Sequence, residues 1–236
     1  MIKKVNCKNE LTKTDFLKID SGELAALVIE GSDLENCSFW EQKIKQNKDN
    51  FMDKLDASFY QTGRTSQEGY KKYWDNSDKY KKSLEKLSIN LKTPDDLIKQ
   101  TLASVFGTCN TLRLENDKIL CPSVFRKWKD VHIPRHHDIL HEEIPESKEA
   151  KKILRQFAIN YYMSVGEQGG EVILYLKDLN SLDENSKGIS YKPKVGDLTI
   201  FNSRYAHEVK PFKGTRITCS AFAGLKNDND KIYRWA

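Results

Sequence analysis

The chain has 236 residues, of which 38% are hydrophobic, so it is long enough and apolar enough to form one folded domain with a core. Charged residues account for 31% and aromatic residues for 10%, a composition that excludes a disordered chain and predicts a soluble globular protein. The net charge of +5 is small, and the lysines are interspersed with acidic residues rather than with stacking aromatic ones, which argues against a nucleic-acid-binding protein.

The cysteines and the opening residues predict where the protein works. The cysteines are an odd number without a CxxC pair, in a chain too long to need disulfide bonds for stability. They are Cys7, Cys37, Cys109, Cys121 and Cys219. The opening sequence MIKKVNCKNELTK lacks the apolar core of a signal peptide, and no stretch approaches the ~18 apolar residues of a membrane-spanning helix. We therefore expect a cytoplasmic protein without membrane contact.

Residues 1–107 predict a mainly helical segment. Apolar residues at helical spacing favour helices within 21–31 and 38–61, whereas the polar, turn-rich residues 63–80 favour a loop that closes over a site. Residues 93–107 carry the start and stop signals of a helix, with a Thr cap, a following Pro, acidic residues in the first turn and Gly at the end.

Residues 108–236 change to short strands separated by turns. Apolar and polar residues alternate in segments 111–117 and 118–128. An Asn-Asp turn stands between the two segments, and together they predict a β-hairpin. Further segments rich in β-branched and aromatic residues predict strands at 157–165, 170–178, 196–203 and 215–224. Short strands preceded by helices predict an antiparallel barrel or a double-sheet sandwich flanked by helices. No internal repeat divides the chain, so we expect residues 1–236 to form one domain.

Two histidines and an aspartate have the spacing of a metal site. His136 and Asp138 stand at i and i+2, so on an extended segment both side chains leave the same face and can reach one metal ion. A third ligand has to come from elsewhere, and His207 is the histidine that lies far along the chain from the other four. Two imidazoles and one carboxylate fill one face of an octahedron and leave three positions open, which suits Fe(II) that activates oxygen.

Arg216 and Thr218 occupy alternate positions of an apolar strand that follows His207. An arginine on such a strand favours a buried partner, and its guanidinium can make a double hydrogen bond to a carboxylate. Thr218, on the same face, can add its hydroxyl group to the same carboxylate. The sequence therefore predicts a ligand with a carboxylate close to the metal.

The order of five short motifs resembles the Fe(II)/2-oxoglutarate-dependent dioxygenases, over residues 108–224. The motifs are His-x-Asp at 136–138, NYYMS…GGEVILY at 160–175, P-x-x-GDLTIF at 193–201, His207 and GTR-x-T at 214–218. The resemblance implies an α+β fold in which a double-stranded β-helix, or jelly roll, follows a helical N-terminal half. It also implies an enzyme that uses Fe(II), 2-oxoglutarate and O2.

The same resemblance assigns roles to individual residues. It implies iron on His136, Asp138 and His207, and the far carboxylate of 2-oxoglutarate on Arg216 with help from Thr218. In this family a strand equivalent to 159–164 often faces the cosubstrate, and here it carries Asn160 and Tyr162 on one face.

The size, the helical N-terminal half and the aromatic residue near the C-terminus are similar to a subgroup that acts on free amino acids, including lysine hydroxylases and halogenases. The halogenases have Gly at the position of Asp138, so the resemblance implies hydroxylation here, with lysine or another cationic amino acid as substrate. Arg64 is a candidate for the substrate carboxylate and Trp235 for a lid over an aliphatic stem. Other candidates for the substrate pocket are Glu115, Trp128, Asp130 and His132.

Several alternatives stay open on sequence alone. His136 and Asp138 can form a surface turn, and His137 with His141, four residues apart, can bind zinc together with Cys109 or Cys121. The jelly roll can be a binding module without catalysis, or a hydroxylase of a protein, a peptide or RNA. The sequence does not predict the oligomeric state.

Overall fold

The computed structural model describes residues 1–46, 93–226 and 231–236. The helices of these residues are α1 (Lys13–Asp20), α2 (Leu34–Gln46), α3 (Pro94–Phe106), α4 (Leu140–Glu143) and α5 (Lys148–Lys151). The strands are β1 (Ile2–Val5), β2 (Ala26–Ile29), β3 (Cys109–Thr111), β4 (Val124–Lys129), β5 (Ile133–His136), β6 (Ile153–Val165), β7 (Gln168–Gly169), β8 (Val172–Leu174), β9 (Ile189–Tyr191), β10 (Leu198–Asn202), β11 (His207–Val209), β12 (Phe212–Lys213), β13 (Thr215–Lys226) and β14 (Ile232–Trp235).

The strands form two sheets that enclose a cavity, together with a short ribbon. The larger sheet has eight strands in the order β1-β2-β10-β6-β13-β14-β3, with β4 also paired to β13. The smaller sheet has four strands in the order β5-β11-β8-β9, and β12 pairs with β7. The helices of the described residues pack mainly against the larger sheet. This α+β architecture confirms the predicted double-sheet, jelly-roll fold.

Strand β13 at the centre of the larger sheet separates the apolar core from the cavity. Ile217 and Cys219 are fully buried in the core, whereas Arg216, Thr218 and Ser220 line the cavity. Side chains of successive strand residues leave opposite faces, so this alternation follows directly from the sequence TRITCSAF. The strand predicted at 215–224 is confirmed, as are those at 157–165 and 196–203, whereas only Val172–Leu174 of the predicted 170–178 form a strand, β8.

The helix predicted within 21–31 is wrong, because Ala26–Ile29 form strand β2. All its residues are buried, and β2 pairs in parallel with β1 and antiparallel with β10. A short continuous apolar run fits a strand covered on both faces as well as a helix, and periodicity alone does not separate them. The N-terminal half therefore contributes strands to the main sheet in addition to its helices.

Helix α3 has the boundaries that the sequence predicts. The Thr93 hydroxyl accepts the amide of Asp96 at 3.1 Å, and the Asp96 carboxylate accepts the Thr93 amide at 2.9 Å. The helix ends at Gly107, whose φ of 77° favours glycine. Helix α2 begins at Leu34, four residues before the predicted start, and confirms residues 38–46 of the helix predicted at 38–61. The remainder of that helix and the predicted loop 63–80 lie outside the described residues.

The hairpin predicted from 111–117 and 118–128 does not form, and the structure has a tight turn there instead. The chain does reverse there, since the Leu114 amide donates to the Lys118 carbonyl at 2.8 Å. The flanking strands then diverge, because β3 pairs in parallel with β14 and β4 pairs with β13. Local alternation predicted the turn correctly, but the pairing partners come from the distant C-terminal residues.

No helix within the described ranges is both long and apolar enough to cross a membrane. The assignment of residues 1–236 to one domain stays a prediction.

Candidate functional site

Two antiparallel strands of the smaller sheet bring His136, Asp138 and His207 together. His136 ends β5 and is directly opposite His207 on β11, with ring centroids 4.3 Å apart. Asp138 follows β5, and its Oδ2 is 3.8 Å from His136 Nε2 and 3.3 Å from His207 Nε2. A metal ion about 2.1 Å from each atom would hold adjacent ligands roughly 3 Å apart. The spacing therefore fits a common metal ion.

Backbone carbonyl groups orient both imidazole rings. The His136 Nδ1 lies 2.7 Å from the Pro134 carbonyl oxygen, and the His207 Nδ1 lies 3.0 Å from the Tyr205 carbonyl oxygen. A carbonyl oxygen only accepts hydrogen bonds, so each Nδ1 carries the proton and each Nε2 presents a lone pair towards Asp138. This tautomer is the one that a metal site built on Nε2 needs.

The segment that carries Asp138 is fixed by Gln156 and Ser203. The Gln156 side-chain amide donates to the Asp138 carbonyl at 2.7 Å and to the Ser203 hydroxyl at 2.8 Å, and its oxygen accepts the Leu140 amide at 3.0 Å. The Asp138 amide donates to the Ser203 carbonyl at 2.8 Å. These hydrogen bonds are buried, so they fix the backbone on both sides of Asp138 in a defined position.

Arg216 lies on the opposite sheet and is buried, with 4% of its surface exposed. Its guanidinium donates to the Gly170 carbonyl at 3.2 Å and to the Tyr162 hydroxyl at 3.3 Å, and it lies 4.9 Å from the centre of the Tyr162 ring. The two bonds hold the planar group in a defined orientation. Gly169 and Gly170 both have positive φ, which allows the turn to approach β12 closely.

A chain of hydroxyl and amide groups continues from Arg216 along the larger sheet. Thr218 Oγ1 lies 3.1 Å from Ser220 Oγ, which donates to Asn160 Oδ1 at 2.7 Å. Thr218 is directly opposite Tyr162, and Ser220 is directly opposite Asn160. The predicted shared face of Asn160 and Tyr162 therefore points towards the same space as Arg216 and Thr218.

The candidate metal ligands and the polar side chains beside Arg216 line one cavity between the two sheets, which we call the inter-sheet cavity. From the smaller sheet come Ile133, His136, Val172, His207 and Val209, with Asp138 following β5. From the larger sheet come Arg126, Trp128, Asn160, Tyr162, Phe201, Arg216, Thr218, Ser220 and Phe222. The cavity thus combines a candidate metal centre on one wall with a candidate carboxylate site on the other.

A family model matches the segment that contains this cavity. Residues 124–224, from β4 to β13, match the 2OG-Fe(II) oxygenase superfamily. Over this segment the chain is similar to the 2OG-Fe(II) oxygenase superfamily, which supports the resemblance found in its sequence. It is a 2-oxoglutarate-dependent dioxygenase that uses Fe(II), 2-oxoglutarate and O2, as the sequence predicts.

Solved structures share the fold of this oxygenase. An N-substituted L-amino acid dioxygenase from Burkholderia ambifaria AMMD is 14% identical, with a TM-score of 0.60 over 96% of this chain and 92% of that one. Its complex with alpha-KG is 15% identical, with a TM-score of 0.61 over 94% of this chain and 90% of that one. At this identity the likeness shows a common fold. No curated protein matches the oxygenase in sequence.

Glu115 and Asp130 lie outside the inter-sheet cavity, so the expectation that they line it is corrected. Glu115 accepts the Ser147 hydroxyl and the Glu149 amide, both at 2.8 Å, at the start of α5. Asp130 accepts the Gly214 amide at 2.8 Å and has a φ of 49° in a turn. Both carboxylates stabilise local backbone instead.

Trp235 is fully buried in the core, 6.1 Å from the Phe222 ring, so the expectation of a lid is also wrong. Its indole is too large to leave exposed, and pairing of β14 with β13 places it inside. His132 is exposed and does not line the cavity, whereas Trp128 does. Arg64 lies outside the described residues, and its role stays a prediction.

The zinc alternative finds no support among the residues that the structure describes. The group that can hold a metal there consists of His136, Asp138 and His207. His137 instead lies 3.0 Å from the Glu142 carboxylate, and Cys121 donates to the Ser123 carbonyl.

Sequence reasoning missed Arg126 and Gln156 as parts of the site. Arg126 carries the signal that identified Arg216, an arginine within an apolar strand, in the segment PSVFRKW. Gln156 carries no such signal, since its role depends on backbone groups of two segments that only the fold brings together.

Proposed function

We propose that the oxygenase hydroxylates an unactivated C–H bond of a free amino acid, with Fe(II) held by His136, Asp138 and His207. The observation that supports this is the placement of the three candidate ligands and Arg216 on opposite walls of one cavity. Arg216 and Thr218 bind the far carboxylate of 2-oxoglutarate in this proposal, and Asn160 and Tyr162 face its length.

The protein's own groups have three tasks in the reaction. The two imidazoles and the Asp138 carboxylate would hold the metal and leave room on it for further ligands. The charged, bidentate contact of Arg216 fixes one end of the cosubstrate. The apolar side chains of Ile133, Val172 and Phe201 limit water around the reacting atoms. Bound iron would supply the oxidant from 2-oxoglutarate and O2, with succinate and CO2 as the other products.

The amino acid assignment rests on two likenesses. The sequence resembles the subgroup that acts on free amino acids, and the fold is similar to that of an N-substituted L-amino acid dioxygenase. Lysine, or another cationic amino acid, is the first substrate to test. Asp138 is the acidic residue among the described residues that line the cavity. Because Asp138 is a proposed iron ligand, these residues offer no further carboxylate for the side-chain ammonium group of lysine.

The test is mass spectrometry of reactions that contain Fe(II), 2-oxoglutarate, O2 and one candidate substrate. Lysine, ornithine, arginine, N-substituted amino acids, a peptide and RNA form the panel, and succinate release is measured in parallel. We expect an amino acid to gain one oxygen atom. We also expect no chlorinated product in high chloride, because Asp138 occupies an iron position. Oxidation of the peptide or RNA alone would refute the amino acid assignment and leave the dioxygenase unchanged.

A further inference from the structure

The outer face of the smaller sheet carries polar side chains directly behind the candidate iron ligands. Arg135 precedes His136 on β5, and Glu208 follows His207 on β11. Successive strand residues leave opposite faces, so Arg135 and Glu208 point away from the inter-sheet cavity while the two histidines line it. The proposed reaction gives this outer face no role.

Tyr175 connects the two charged groups, and we call Arg135, Tyr175 and Glu208 the outer network. The Tyr175 hydroxyl donates to Glu208 Oε1 at 3.0 Å and accepts a hydrogen bond from the Arg135 guanidinium at 2.8 Å. The guanidinium also lies 4.3 Å from the centre of the Tyr175 ring. Tyr175 and Glu208 are buried, with 4% and 6% of their surfaces exposed. Charge-assisted hydrogen bonds between buried groups are strong and directional, so the network holds its members in one arrangement.

The outer network joins three short strands. Strand β11 lies between β5 and β8, and Tyr175 directly follows β8. The pairing of β5 with β11 consists of two residue pairs with a shift of register between them, and His136 opposite His207 is one of these pairs. Pro134 lies within the shift and has no amide hydrogen to donate. Side chains that cross from strand to strand therefore supplement a short and irregular backbone pairing.

We propose that the outer network positions the iron ligands, by fixing β5 against β11 so that the His136 and His207 imidazoles keep the separation that a shared ion requires. The inference rests on the proposed iron site and deepens it, whichever substrate is oxidised. Arg135, Tyr175 and Glu208 are positioning residues, because they act through the strands from the face that is turned away from the cavity. Removal of groups that orient metal ligands in this way typically lowers metal affinity about 10- to 100-fold.

The test removes one hydroxyl group. Tyr175→Phe deletes both hydrogen bonds within the outer network and keeps the ring. Tyr161→Phe is the matched control, because Tyr161 is 1% exposed, donates to the Ser32 carbonyl at 2.8 Å and does not line the cavity. The affinities of Fe(II) and Co(II) are measured without oxygen by calorimetry, and the visible spectrum of bound Co(II) reports its coordination geometry. Tm of the metal-free proteins is measured in parallel.

We expect Tyr175→Phe to weaken the binding of both ions roughly 10- to 100-fold and to change the Co(II) spectrum, because the two imidazoles are no longer held at one separation. Tyr161→Phe should bind both ions as the wild-type protein does, with the same spectrum. Both substitutions should lower Tm of the metal-free protein, since each removes buried hydrogen bonds. A loss of stability alone therefore does not account for the difference in metal binding.

A second set of variants tests the outer network at its other members. Arg135 is half-buried, and Arg135→Gln should weaken metal binding in the same direction. Its matched control is Arg155→Gln, which changes a half-buried arginine of β6 that pairs with Asp20 at 3.0 Å. Glu208→Gln keeps an acceptor for the Tyr175 hydroxyl and should bind Fe(II) more tightly than Glu208→Leu, which keeps none.

Other outcomes overturn the proposal. Unchanged metal affinity and Co(II) spectrum in Tyr175→Phe or, where that variant does not fold, in Arg135→Gln would show that the outer network only stabilises the sheet. Equal weakening by Tyr161→Phe would show a general effect of lower stability. A wild-type protein that binds no iron would refute the iron site together with this proposal. Failure of the amino acid assignment is a different result, since it appears in product analysis and not in metal binding.

Discussion

At the residue scale, the orientation of two imidazoles by backbone carbonyls supports the clearest prediction. His136→Ala or His207→Ala should abolish the binding of one Fe(II) per chain, because each removes one of three ligands and leaves the others too few to hold the ion. Metal analysis of the purified proteins measures this. His141→Ala, which changes an exposed histidine outside the site, should keep its iron. Full iron occupancy in both site variants would contradict the ligand assignment.

Arg216→Ala should raise the requirement for 2-oxoglutarate while iron binding survives. Loss of a charge-assisted contact costs about 1.5–3 kcal/mol, which corresponds to a roughly 10- to 150-fold rise in KM. The KM of Arg216→Lys for 2-oxoglutarate should lie between those of the wild-type protein and Arg216→Ala. Lysine keeps the charge but cannot form both hydrogen bonds, to the Gly170 carbonyl and the Tyr162 hydroxyl, in one plane. If cosubstrate dependence does not change, Arg216 is a structural residue.

Gln156→Leu should weaken iron binding although Gln156 touches no metal ligand atom. Its amide bonds position the backbone of Asp138, and loss of such outer contacts typically lowers metal affinity about 10- to 100-fold. The variant should also be less stable by about 1–3 kcal/mol, since the buried Leu140 amide loses its acceptor. Titration with Fe(II) measures the first effect. Gln100→Leu, an exposed glutamine on α3, is the control; equal affinity in both variants would reject the positioning role.

Sequence reasoning could find the residues whose chemistry is unusual for their position. His136, Asp138, His207 and Arg216 are polar groups in a strand-rich segment, and the fold brings them together. The prediction from sequence misplaced Trp235, because a large aromatic residue near a chain end is equally compatible with a lid and with a core position. Only the pairing of β14 with β13 decides between these positions.

At the scale of a single element, the short helix α5 depends on a glutamate that is remote in sequence. Desolvation raises the pKa of the Glu115 carboxyl, but hydrogen bonds from its own backbone amide, from Ser147 and from the amides of Lys148 and Glu149 outweigh it and lower the pKa to about 2. A carboxylate at the start of a helix also compensates its unpaired amides. The acid first interpreted as a substrate contact therefore caps a helix.

This capping predicts how stability depends on pH. The pKa of Glu115 in the folded state lies below its ordinary value of 4.5, so its contribution is complete above about pH 4.5 and is lost as the pH falls towards 2. Glu115→Gln should lower the free energy of unfolding at pH 7, and the difference from the wild-type protein should shrink below pH 4. Urea unfolding at several pH values measures this, with the exposed Glu146→Gln as control. A difference that is constant with pH would contradict the prediction.

Element types were predictable where the sequence carries explicit signals. Helix α3 has both of its boundary signals, and β6, β10 and β13 are rich in β-branched and aromatic residues. Strand β2 was misread because four consecutive apolar residues have no period. The hairpin at 111–128 failed for a different reason: its strands find better partners in β14 and β13, which local sequence cannot reveal.

At the scale of the whole molecule, the site is made by two sheets and not by either one. The candidate iron ligands His136 and His207 belong to the four-stranded sheet, while Arg126 and Arg216 belong to the eight-stranded sheet. The motif order and the family resemblance predicted both walls. The distance between the walls, and the position of Arg126 beside Thr218, depend on pairings between strands far apart in the chain and needed the structure.

In the proposed binding mode, a cosubstrate held by the metal and by Arg216 would act as a removable cross-link between these two sheets. Separation of the sheets would break its contact with either the metal or Arg216, so it would bind only while the two sheets keep their spacing. A ligand that binds the folded state alone at 100 times its Kd adds about 2.7 kcal/mol of stability. Iron and 2-oxoglutarate together should therefore raise Tm by more than the sum of their separate effects, and Arg216→Ala should lose this excess. Resistance to unfolding then depends on the concentration of a metabolite as well as on the sequence.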